Sequence, residues 1–95
     1  MKARLLFWEK HSYADGAIRE MKLWAVPRRA RTQEGVKYSL VYINPEGVRL
    51  LGYDNAHGLP HRHLGEARTP FYFEFVEDLV ERFLKEVEIL RRIEG

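Results

Sequence analysis

Cysteine is absent from this 95-residue chain. That excludes a disulfide framework and any thiolate metal site, including a structural zinc of the finger type, and makes the cytoplasm the default setting. No apolar run approaches the ~20 residues that span a bilayer, so no membrane role is expected. The opening MKARLLFWEK brings Arg4 and Glu9 too early for a signal-peptide apolar region. Repeats and low-complexity tracts are also missing, as are a Gly-rich phosphate loop, a helical HExxH pair and a Ser/His/Asp order. No cofactor is expected.

What is present describes one small globular domain over residues 1–95. Apolar residues make up 45% and charged residues 32%, the balance of a folded chain rather than a disordered one. A net charge of +2 conceals an asymmetry: residues 1–73 hold 12 Lys/Arg against 7 Asp/Glu, whereas residues 74–95 hold 4 against 7. Eleven of the 16 basic residues are Arg, which forks bidentately onto phosphate. A basic body with an acidic end suits a polyanion such as RNA, and equally a soluble domain with no such partner.

Residues 3–9 (ARLLFWE) and 17–26 (AIREMKLWAV) read as two strands joined at Asp15-Gly16, the strongest short turn signal available. Pro27 ends the second strand and Arg28–Gly35 reads as a polar loop. Residues 36–43 (VKYSLVYI) form a third strand, Asn44-Pro45-Glu46-Gly47 a turn, and Val48–Tyr53 a fourth strand. From Phe75 the period changes to 3.6: Val76, Leu79, Val80, Phe83, Val87 and Leu90 share one helix face. Asp78/Arg82, Glu81/Lys85 and Glu88/Arg92 are acid-before-base pairs at i,i+4. The expected fold is α+β, an antiparallel meander of four to five strands with one long C-terminal helix.

This arrangement carries a mismatch. Four strands make a sheet about 20 Å wide, whereas one helix covers ~10 Å. Yet large apolar side chains stand on both faces of the first strand (Leu5, Phe7 against Leu6, Trp8) and of the third. A homodimer or a partner protein on the uncovered surface is expected, with a curled sheet burying its own inner face as the alternative.

The segment Gly52–Leu64 (GYDNAHGLPHRHL) concentrates three of the four histidines with Tyr53, Asp54, Asn55 and Arg62. Histidine takes and gives protons near neutrality and is the commonest nitrogen ligand for metals. On an extended backbone His61 and His63 project to one face. They could grip one metal ion with His57 or Asp54 as third ligand. They also suit acid–base cleavage of RNA, in which a base takes the 2′-hydroxyl proton, an acid protonates the leaving 5′-oxygen and a cation stabilises the phosphorane. In that reading His61 and His63 move protons and Arg62 or Arg68 stabilises charge. Asp54 fixes a tautomer or acts as base, and Tyr53 holds a phosphate oxygen. A polar loop of solvated histidines is the third possibility. His11, beside the first hairpin, reads as structural or solvent-exposed. Arg28, Arg29 and Arg31 form a basic loop, either a phosphate contact or simply solvated. Trp8, Trp24, Tyr38 and Tyr42 could stack on bases, although residues at strand spacing are more often core.

The chain resembles the TumE family, toxin components of prokaryotic toxin–antitoxin pairs. The resemblance runs nearly end to end: the hairpin at Asp15-Gly16, Trp24 followed by Val26-Pro27, the strand with Lys37-Tyr38, Tyr53-Asp54-Asn55, Gly58, His61-Arg62-His63, and Pro70-Phe71-Tyr72-Phe73 before the helix. It implies an active centre at Asp54, His61 and His63, with Tyr53, Asn55 and Arg62 beside them; Asn55 and Arg68 are expected to contact the substrate, Arg68 on the side-chain chemistry alone. It also implies growth inhibition neutralised by a cognate antitoxin. Ribonuclease action comes from the side-chain chemistry, not from the resemblance. A non-catalytic binding module and a His-ligated metal-dependent hydrolase stand as alternatives.

Overall fold

The computed structural model describes residues 3–27, 35–55 and 59–94. Within them six strands follow one another as a single antiparallel meander: β1 (Arg4–Ser12), β2 (Ile18–Ala25), β3 (Val36–Ile43), β4 (Arg49–Asp54), β5 (His61–Leu64) and β6 (Ala67–Pro70). One helix, α1 (Val76–Glu94), follows. The α+β class is the expected one, with a correction: the sheet has six strands, not four or five. The additional hairpin grows out of the histidine segment itself, where His61–Leu64 pairs with β4 on one side and β6 on the other.

Turn chemistry sets the first two visible corners. Gly16 adopts a φ of +96°, and the Asp15 carboxylate accepts the Ala17 N–H at 3.0 Å. At the β3–β4 turn Asn44 Oδ1 accepts the N–H groups of Glu46 and Val48 at 3.1 and 2.9 Å, while Gly47 supplies a φ of +85°.

The core lies between one face of β2–β4 and α1. Met21 and Leu23, then Tyr38, Leu40 and Tyr42, then Leu51 and Tyr53 alternate inward to meet Leu79, Phe83 and Val87 of the helix stripe, all buried. Phe75 carries no side-chain cap, so its carbonyl opens the helix by accepting the N–H of Asp78 at 3.0 Å. Arg91 pins the far end. It donates to the Tyr42 hydroxyl at 3.1 Å, pairs with Asp15 at 3.2 Å and lies 3.7 Å over the Tyr13 ring. Glu81/Lys85 and Glu88/Arg92 form at 3.1 and 4.0 Å, but Arg82 turns to Glu86 at 3.6 Å instead of to Asp78.

The helix is narrower than the sheet. Leu5, Leu6, Phe7 and Trp8 of β1 remain 40–60% exposed. Among the described residues no helix is long and apolar enough to cross a membrane.

Candidate functional site

Strand alternation divides the histidine segment between two faces of the sheet. Tyr53 is buried toward α1, so its neighbours Gly52 and Asp54 point to the opposite, helix-free face. Residues opposite one another in an antiparallel pair share a face. Gly52 faces His63 and Asp54 faces His61, which puts both imidazoles and the carboxylate on that side of the sheet, with His61 itself buried. His63 Nε2 lies 3.3 Å from Asp54 Oδ2, and the two imidazole centroids are 6.1 Å apart.

Neighbouring strands complete the cluster. Arg68 of β6 faces His63 and brings its Nη2 to 3.3 Å from His61 Nδ1. A guanidinium has only donors, so Nδ1 accepts and the proton of neutral His61 sits on Nε2. Ser39 of β3 faces Asp54, and Lys37 lies 5.9 Å over the Trp24 ring of β2. Arg49 folds across Gly52, where a Cβ would sit 3.4 Å from its Cδ and 3.6 Å from its Nε. A methyl there would make ordinary contact, so Arg49 packs closely over Gly52 and leaves space for nothing larger than a Cβ. Trp24, Lys37, Ser39, Arg49, Asp54, His63 and Arg68 line a cavity of about 430 Å³.

Desolvation pushes the His63 imidazole below its ordinary pKa. Arg49, Arg68 and His61 push the same way, and only Asp54 opposes them. His63 is therefore neutral at pH 7. With Nε2–H assigned to Asp54 by the 3.3 Å contact, Nδ1 keeps its lone pair. Three cations surround one carboxylate, a field that draws anions. Among the described residues no group of three His, Cys, Asp or Glu side chains is placed to hold a metal ion. His57, the third imidazole of the metal reading, lies outside the described residues.

Tyr53 and Arg62 do not join this cluster. Arg62 sits opposite Tyr53 and shares its face, directed at the helix. There Arg62 forms a charge-assisted pair with Glu86, and the Tyr53 hydroxyl donates to the same carboxylate. Arg82 Nε donates to the Tyr53 oxygen at 3.0 Å. Burial pushes the Glu86 carboxyl up and the Arg62 guanidinium down, the latter with help from Arg82. Asn55 also serves the scaffold. Its Oδ1 accepts the Tyr38 N–H at 3.1 Å and its Nδ2 donates to the Val36 carbonyl at 2.6 Å, so both ends of the buried amide are committed to β3. Arg28, Arg29 and Arg31 lie outside the described residues. Lys37, Ser39 and Arg49 were not expected at the site from the sequence, Lys37 being only a marker of the resemblance, since strand register is what brings them to His63. Tyr38 and Tyr42 are buried in the core, and Tyr38 also lines the cavity together with Trp24.

No curated protein and no solved structure matches the chain. A family model described as toxin TumE matches residues 4–91. That span holds every element of the fold up to the last turn of α1 and all the described residues of the cluster, so the chain belongs to the TumE toxin family, the toxin component of a toxin–antitoxin pair whose partner is an antitoxin.

Proposed function

We propose that this toxin acts on RNA, cleaving it by metal-independent acid–base chemistry at the open face of the sheet. His63 Nδ1 takes the proton of a 2′-hydroxyl while Asp54 holds the ring through Nε2–H. The 2′-oxygen attacks the adjacent phosphorus and the P–O5′ bond breaks, leaving a 2′,3′-cyclic phosphate. A substrate phosphate draws Arg68 off His61 Nδ1, that nitrogen takes up a solvent hydronium proton, and the imidazolium gives its Nε2 proton to the departing 5′-oxygen. His63 then returns the 2′-hydroxyl proton to solvent, so the net proton count is unchanged. Lys37, Arg49 and Arg68 stabilise the charge that builds on the phosphorane. Trp24 offers a flat aromatic face for a neighbouring base. The observation that carries this reading is an imidazole 3.3 Å from a carboxylate, lining a cavity that three cations also line.

The test uses purified protein, a defined RNA and excess chelator. Fragments ending in 2′,3′-cyclic phosphate and 5′-hydroxyl are expected, with no cutting where the 2′-hydroxyl at the scissile position is removed. His63→Ala lowers the rate about 10²–10⁴-fold, the usual worth of a positioned base. RNA bound but not cut makes the chain a binding module. Cleavage that needs an added divalent ion makes it a metal-dependent hydrolase.

A further inference from the structure

The two edges of the sheet are unlike. β6 is four residues long and ends at Pro70, the usual way of keeping an edge from recruiting another strand. β1 is nine residues long, has no proline and carries four consecutive apolar residues, Leu5-Leu6-Phe7-Trp8, with exposures of 53%, 49%, 40% and 60%. Its inner side pairs with β2, and among the described residues no strand pairs with the backbone donors and acceptors of its outer side. A long apolar edge of that kind is a template for a further strand.

We propose that the strand seated on this edge is β1 of a second copy, antiparallel about a two-fold axis between Leu6 and Phe7. The pairs would then be Leu6 with the second copy's Phe7, Leu5 with its Trp8, and Arg4 with its Glu9, each made twice.

A β-bulge in β1 makes this register consistent with the faces of the sheet. Leu5 faces Trp24 and Trp8 faces Lys22, which puts both on the open face although they are three residues apart. The shift between Leu5 and Phe7 is the reason, because an unbulged strand would send them to opposite faces. Arg4 faces Ala25 and Glu9 faces Met21, so this pair shares the helix side. Cross-strand partners must share a face, and the register meets that condition at every pair outside the central bulge. It also opposes charges in a useful way. Arg4 has no ion-pair partner among the described residues, and Glu9, already 2.6 Å from Arg19, is 42% exposed at its side chain. Moving the axis to Trp8 would place Phe7 opposite Glu9 and Leu6 opposite Lys10, which forfeits both the apolar matches and the ion pair. Isologous pairing gives a closed dimer with one continuous sheet and both open faces on the same side. This interface stands independently of the cleavage chemistry.

The absence of cysteine makes the register directly testable. Sedimentation of the whole chain should give a mass twice that of one copy, and Phe7→Lys should return it to one copy with its helix circular dichroism intact. The double variant L5C/W8C should oxidise to a covalent dimer, since directly opposed positions lie within disulfide reach. L5C or W8C alone should not. A chain that sediments as one copy at all concentrations overturns the proposal. So does a W8C single variant that cross-links efficiently, which would put the axis at Trp8. If the antitoxin alone seats on β1, the chain is monomeric without it and Phe7→Lys abolishes that complex, which also refutes a second copy as occupant.

Discussion

His63 is held between opposing influences: desolvation and Arg49 favour its neutral form, and Asp54 favours the charged one. Removing either partner should therefore move its titration in opposite senses. Arg49→Gln takes away a cation, so the imidazolium is less disfavoured and the pKa rises. Asp54→Asn takes away the stabilising carboxylate, so the pKa falls further. Proton NMR of the His63 ring through a pH series checks both signs, and shifts in the same direction would mean that the two side chains do not act on it as charges. Because the folded-state pKa lies below the unfolded value near 6.5, the folded state resists protonation. The corresponding stability is present above that value and is lost as pH falls from it toward the folded pKa. Gly52 gives an independent check. Its Cβ position lies in ordinary contact with Arg49, so Gly52→Ala is accommodated, whereas Gly52→Val crowds the guanidinium away and should raise the His63 pKa with no charge removed.

The elements divide into those whose patterning is local and those that depend on pairing. The first four strands and the helix stripe were legible because alternation and a 3.6 period are written in neighbouring residues; Leu79, Phe83 and Val87 face the sheet as that period requires. The β5–β6 hairpin was less so. Four residues each, one strand made of His-Arg-His-Leu and the other ending in proline, carry little β-propensity, and pairing with β4 is what holds them extended. The same alternation that puts His61 and His63 together sends Arg62 to the other side, so the pairing of those two imidazoles in the candidate site was legible from spacing. Arg49 and Lys37 were not, because register rather than sequence distance brings them to His63. Arg62 has its own work at the seam between β5 and α1, where Glu86 receives both it and the Tyr53 hydroxyl. Glu86→Ala should cost about 1–3 kcal/mol, since it strands half-buried donors. Glu81→Ala, which breaks an exposed i,i+4 pair with Lys85, should cost no more than about 0.5 kcal/mol. Urea denaturation of the two variants side by side reads the difference, and equal losses would mean that the seam contributes no more than a surface pair.

At the scale of the whole molecule, charge is sorted by face. Residues 74–95, which include the helix, carry 4 basic against 7 acidic side chains. The open face gathers Lys37, Arg49 and Arg68 around a single acid of the cavity, Asp54. A polyanion approaching at random is drawn to one side and repelled from the other, and the fraction of its affinity that comes from counterion release depends on how many phosphates those cations meet. For single-stranded RNA the slope of log K against log salt is about −0.7 per phosphate contact. Lys37→Gln, Arg49→Gln and Arg68→Gln should therefore each flatten the slope by roughly 0.7, and the triple variant by about 2. Arg82→Gln and Lys85→Gln line the cavity on the helix side, among Glu74, Asp78, Glu81 and Glu86, and should leave the slope unchanged. Fluorescence anisotropy with labelled RNA over a salt series measures both sets. If the helix-side variants flatten the slope as much as the open-face ones, RNA does not select the open face, and the field around His63 has some other anion to serve.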